Sequence, residues 1–188
     1  YRQKIYYQKH KEKIVAYIDG ANLHKGISAL GWKLDYHRFR VWLSEKYHVQ
    51  TAYLFIGLIP RYKDLYAHLQ KCGFTLIFKE VVYDGSGKAK GNCDSDLVLQ
   101  AMQDAYETTF DQALLVTSDG DYAPLVKFLL KRQKMNAVLS PSTSKKCSIL
   151  LKQTDVRIAY MQDQRSLLQA QKEKAPGGDG TPQGSLSW

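Results

Sequence analysis

Five aspartates fall where a carboxylate can meet a phosphate or a metal ion. Asp19 ends the run Ile14-Val15-Ala16-Tyr17-Ile18 and precedes Gly20. Asp119 and Asp121 lie in Thr117-Ser118-Asp119-Gly120-Asp121, directly after Ala113-Leu114-Leu115-Val116. Asp94 and Asp96 open a segment in which Leu97, Val98, Ala101, Met102 and Ala105 recur at spacings of three and four. Taken singly, each acid is explained by helix capping, since a carboxylate at a helix start meets free N–H groups and the positive end of the dipole. A group of them is different. Two carboxylates 4 Å apart repel by about 4 kcal/mol at an effective dielectric of 20. A cluster of three or four needs protons, Lys or Arg partners, or a divalent cation. Oxygen donors in a chain with only five scattered histidines suit Mg2+ or Mn2+ rather than zinc. Such an ion polarises a phosphoryl oxygen and activates water, so the chemistry on offer is cleavage or transfer of phosphate.

The elements that must position these acids alternate between strand and helix. Ile14–Ile18, Thr51–Ile56, Phe74–Phe78 (extending toward Val82), Ala113–Thr117 and Ala137–Leu139 read as strands, with Val156–Tyr160 as a last edge strand. Helical patterns cover Ala21–Leu30, a segment capped by Asp35, Arg61–Lys71 with Gly73 as its stop, the segment from Asp94, Tyr122–Lys134 and the region of Cys147–Gln153. Met102 belongs to the apolar stripe of its helix and reads as core. Pro124 is tolerated because the first turn of a helix has no intrahelical N–H bonds to lose. Asp84–Gly91 reads as a glycine-rich loop. This order predicts an α/β fold, a three-layer α/β/α sandwich with a mainly parallel sheet. Ligands of such sheets bind beyond the carboxyl ends of the strands, where the aspartates can converge.

Composition bounds the rest. Apolar residues make up 44% and charged residues 24% of 188 positions, the balance of a globular protein with a full core. Lys and Arg number 27 against 18 acids, a net charge of +9, which attracts polyanions. Residues 1–12 read as a basic N-terminal arm, 13–170 as the domain, and 171–188 as a flexible C-terminal tail rich in Gly, Pro, Gln and Ser. No run of 18 apolar residues exists and the first twelve residues lack a signal-peptide core, so no membrane partner is expected. Three cysteines, Cys72, Cys93 and Cys147, form no CxxC pair, which suits a reducing cytoplasm. The sequence contains no P-loop, EF-hand, GxSxG or HExxH pattern, and Asp19 lacks the second acid of a DxD phosphatase start.

With these residues in view, Tyr17-Ile18-Asp19-Gly20-Ala21-Asn22 resembles the opening motif of NYN domains, the LabA-like branch of the PIN-like nuclease superfamily. Lys90-Gly91-Asn92-Cys93-Asp94-Ser95-Asp96-Leu97 is similar to the middle motif. Leu115-Val116-Thr117-Ser118-Asp119-Gly120-Asp121-Tyr122 with Pro124-Leu125-Val126 is similar to the third. The likeness spans residues 13–162, and three motifs in order make it specific. It implies a PIN-like, Rossmann-like fold and a metal-dependent ribonuclease whose product keeps a 5′-phosphate. Carried over by motif, Asp19, Asp94 and Asp119 would be the main metal ligands, Asp121 a further one, and Asn22 would orient substrate or a metal-bound water. Asp96 would stand behind them, and Thr117 or Ser118 would hold a carboxylate by hydrogen bonding. Lys88 and Lys90, and Lys145 and Lys146 after a later strand, would contact RNA. Tyr83 and Tyr122 could stack on unpaired bases. Single-stranded RNA is the expected substrate, and the sequence leaves room for a homodimer. Two other readings stay open: a non-catalytic RNA-binding or regulatory module on the same fold, and a phosphatase or nucleotidase acting on small phosphates.

Overall fold

The computed structural model describes residues 12–80, 82–83, 89–90 and 93–171. The side chains of residues 80–92 are not described, and the basic arm and the tail fall almost wholly outside the described residues. The chain opens with β1 (Ile14–Asp19), α1 (Gly20–Ala29), α2 (Tyr36–Tyr47) and β2 (Val49–Leu58). A 3-10 turn (Pro60–Tyr62), α3 (Lys63–Lys71), β3 (Thr75–Glu80), β4 (Val82–Tyr83) and β5 (Ala89–Lys90) follow. Next come α4 (Asp94–Tyr106), β6 (Gln112–Val116), a second 3-10 turn (Gly120–Tyr122), α5 (Ala123–Lys131) and β7 (Met135–Ser140). The chain then forms α6 (Ile149–Lys152), β8 (Ile158–Tyr160), a third 3-10 turn (Met161–Gln164) and α7 (Arg165–Leu168).

Six strands form one parallel sheet in the order β3-β2-β1-β6-β7-β8. The order grows one way from β1 to β3 and the other way from β6 to β8, so the topological switch lies between β1 and β6. Ile18 stands opposite Val116, so the chain leaves both central strands at the same level. Alternation along β1 divides the core. Ile14, Ala16 and Ile18 pack with Leu23, Ile27, Phe39 and Leu43 from α1 and α2. Val15 and Tyr17 face the other way, toward Leu97 and Ala101 of α4 and Leu125 and Leu129 of α5. A strand covered on both faces must be apolar throughout, which is why β1 shows no alternation in its sequence. Met102 packs against this second layer. The three-layer α/β/α architecture with a parallel sheet is therefore the one expected.

Local signals set most boundaries. Asp19 caps α1 by accepting from the Asn22 N–H at 2.9 Å, and Asp35 caps α2 by accepting from the Arg38 N–H at 3.0 Å. Gly73 closes α3 with φ +94°, a left-handed conformation that glycine adopts without steric cost. Several expected bounds need correction. The helix expected over Arg61–Lys71 begins as a 3-10 turn, α5 stops at Lys131, and α6 covers only four residues. Within the expected glycine loop, Ala89 pairs with Tyr83 and Lys90 with Val82 in an antiparallel ribbon. The stretch Met161–Leu168 had no expected structure, yet Met161 is 1% and Leu168 0% exposed. Beyond it, the Asp35 N–H donates to Leu168 O and the Ala170 N–H to Lys33 O, both at 2.9 Å. Among the described residues no helix is long and apolar enough to cross a membrane, and Cys72, Cys93 and Cys147 are unpaired.

Candidate metal centre

The site is built at the switch point, on the segments that leave β1 and β6. At the end of β1 the chain turns at once into α1, and Gly20 permits it. A Cβ there would stand 2.7 Å from the Phe55 carbonyl oxygen of β2. The segment after β6 is held by its own short-range bonds. The Asp119 N–H donates to Thr117 Oγ1 at 3.1 Å, and the Asp121 N–H donates to Asp119 Oδ1 at 3.0 Å. The Ser118 N–H donates to Asn22 Oδ1 at 2.8 Å, which ties the first turn of α1 to this segment. Ser118 Oγ lies 2.9 Å from Ser140 Oγ, and Ser140 Oγ lies 2.9 Å from Ser142 Oγ. This chain of hydroxyls joins the end of β6 to the end of β7.

One carboxylate oxygen from each of Asp94, Asp119 and Asp121 lies within 4.8 Å of the other two; Asp94 and Asp119 are half-buried and Asp121 is exposed. Asp94 reaches the group from the first turn of α4, on the face of the sheet that carries that helix. Asp19 stands beside the trio but outside that set. It is 6% exposed; Oδ1 takes the Asn22 N–H and Oδ2 lies 3.3 Å from the Tyr122 hydroxyl. Burial, reinforced by the charges of Asp94 and Asp119, pushes the Asp19 carboxyl up to about 6, against the pull of the Asn22 N–H and the Tyr122 hydroxyl. Tyr122 Oη donates to Asp94 Oδ1 at 2.6 Å. Burial first, then the Asp19 charge and the bond to Asp94, drive this phenol far above its ordinary range. Burial, reinforced by the charges of Asp19, Asp96 and Asp94, also pushes the neighbouring Cys93 thiol up to about 12. The carboxylates gathered here are hard oxygen donors, and they fit a hard divalent cation better than a thiophilic one.

The remaining expected residues separate. Asp96 is not part of the trio and pairs with Lys79 of β3 at 2.7 Å, with the two side chains 39% and 37% exposed. Thr117 and Ser118 support the site differently from the expectation. Thr117 Oγ1 accepts a backbone N–H, while Ser118 serves Asn22 through its amide and Ser140 through its hydroxyl. Tyr122 is 1% exposed and clamps acids, which corrects the expectation that it stacks on bases. Lys145 and Lys146 are exposed in the turn after β7. That turn borders the site, since the Ser148 N–H donates to Ser118 O at 3.2 Å. Lys88 lies outside the described residues, and Lys90 and Tyr83 are described only as backbone. Sequence reasoning missed Lys79, Ser140 and the clamping role of Tyr122. Lys79 had one signal, a single cation in the apolar run Leu76-Ile77-Phe78-Lys79 on the same side as Ile77. Ser140 had none.

A parallel α/β/α sandwich that gathers carboxylates at its topological switch point defines the PIN-like class of domain. The chain belongs to the NYN domain family, whose model matches residues 13–160; NYN domains are part of the PIN-like nuclease superfamily. Among solved structures, the chain is similar to a protein of unknown function from Vibrio parahaemolyticus, VPA0982. The two are 24% identical with a TM-score of 0.68, and the match covers 85% of this chain and 98% of that one. This likeness bears on the fold alone. No curated protein matches the sequence significantly.

Proposed function

We propose that the chain is a LabA-like NYN protein that acts as a metal-dependent endoribonuclease on single-stranded RNA. The observation that carries this reading is the meeting of Asp94, Asp119 and Asp121 within 4.8 Å at the carboxyl edge of the sheet. Together with Asp19 they would hold Mg2+ or Mn2+, in number one or two. The bound ion would supply Lewis-acid polarisation of a phosphoryl oxygen and a water of lowered pKa. Asn22 has its Oδ1 fixed by the Ser118 N–H, and its amide nitrogen would be the donor to a phosphate oxygen or the attacking water. Lys145 and Lys146, with Lys88 and Lys90, would hold the polyanion, in keeping with the net charge of +9. Family kinship points to a product with a 5′-phosphate. The unpaired cysteines suit action in a reducing cytoplasm.

The test uses a labelled single-stranded RNA with Mg2+ or Mn2+, repeated with EDTA and with Asp94→Asn and Asp119→Asn. Each variant should lose more than about a hundredfold in rate, beyond the 10–100-fold typical of groups outside the ligand shell. Cleavage that survives the chelator and both substitutions would defeat the proposal. Tight RNA binding without products would support a non-catalytic module instead. Faster hydrolysis of a mononucleotide than of an oligomer would support a phosphatase.

A further inference from the structure

The Tyr122 hydroxyl lies where two acids from distant elements meet. It donates to Asp94 Oδ1 at 2.6 Å and stands 3.3 Å from Asp19 Oδ2. Tyr122 is one residue beyond Asp121 and three beyond Asp119, so one short segment presents two carboxylates and grips a third. Carboxylates that repel one another swing apart unless something fixes their planes. A Lys or Arg at this place would fix them by neutralising charge, and would compete with a cation for the same oxygens. A phenol donates a hydrogen bond without adding charge. We propose that Tyr122 is a positioning residue for the metal site, its hydroxyl setting the plane of the Asp94 carboxylate against Asp119 and Asp121 before an ion arrives. This rests on the reading that the trio binds a divalent cation.

The experiment titrates Mn2+ into metal-free protein in the absence of RNA, for the wild type, Tyr122→Phe and Tyr17→Phe. Tyr17 is the control for a structural lesion. It is also 1% exposed, and its hydroxyl donates to Asp104 Oδ2 at 2.7 Å, away from the trio. Removing either hydroxyl strips an aspartate of one donor. Tyr122→Phe should weaken Mn2+ binding about tenfold or more, the loss typical of a partner behind a ligand. Tyr17→Phe should leave Mn2+ affinity within about twofold while lowering the thermal midpoint, the ordinary cost of an unmade buried hydrogen bond. Wild-type affinity in Tyr122→Phe, or equal losses in both variants, would overturn the assignment and leave the metal reading standing. A wild type that binds no Mn2+ would overturn the metal reading itself. If the Phe variant does not fold, Tyr122→Met fills the space without a donor and is read in the same way.

Discussion

Asp19 carries its charge at a cost that the fold makes visible. Burial above all lifts its pKa from 3.8 to about 6, with Asp94 and Asp119 adding to the effect. The folded chain therefore holds this proton more tightly than the unfolded chain does. The stabilisation is fully present below about pH 4 and is lost as pH rises through 6, a change of about 3 kcal/mol. Urea unfolding of metal-free wild type and Asp19→Asn at about pH 4 and about pH 7 measures it. The wild type should lose about 2 kcal/mol relative to the variant across that span; a constant difference would show that Asp19 ionises like an exposed carboxylate. At this scale the acids were legible in the sequence, because each sits at the end of a recognisable run. Their supports were not. Tyr122 meets Asp94 across 28 positions of the chain and Asp19 across 103, and Lys79 meets Asp96 from a different strand. A hydrogen bond between distant residues leaves no periodicity to read.

Among the elements, α1 is seated close against both β2 and the loop after β7. Gly26 lies inside this helix, where an alanine ordinarily gains about 1 kcal/mol over glycine. Here the added methyl would run into the Pro141 carbonyl oxygen and stand 3.0 Å from Pro141 Cβ. Overpacking against backbone costs typically 1–3 kcal/mol, so the collision outweighs the propensity. Gly26→Ala should lower the thermal midpoint by about 2–4 °C per kcal/mol lost; a raised midpoint would show that the loop after β7 gives way freely. Elements of strong pattern were readable: β1 and β6 from their apolar runs, α4 from its stripe, and α1 and α2 from Asp19 and Asp35. What escaped were elements made by contacts rather than by local preference. The β4–β5 ribbon is two residues on each side within a glycine-rich stretch. The four residues of α7 are too few for a helical period to show, and Leu168 is fixed by the core it fills.

At the scale of the whole molecule, the surplus of positive charge sets how the protein would meet RNA. A protein that neutralises phosphates loses affinity steeply with salt, by about 0.7 in the log–log slope for each single-strand phosphate contact. Lys145 and Lys146 are exposed on the turn that borders the site. Replacing both with Ala should reduce the salt slope of RNA binding by about 1.4 and weaken all sequences alike. Fluorescence anisotropy over a series of salt concentrations reads this directly, and an unchanged slope would remove the turn from the RNA path.

The stretch past β8 has a practical bearing on how this domain is cut. The family match closes at position 160, yet Met161 and Leu168 are wholly interior, and Leu34 pairs with Gln169 in an antiparallel bridge. A fragment trimmed to the boundary of the match would uncover the side of α2 and release the Lys33–Asp35 connection from its hydrogen bonds to Leu168 and Ala170. The packed interior therefore extends to Leu168, past the stretch whose motifs identify the family.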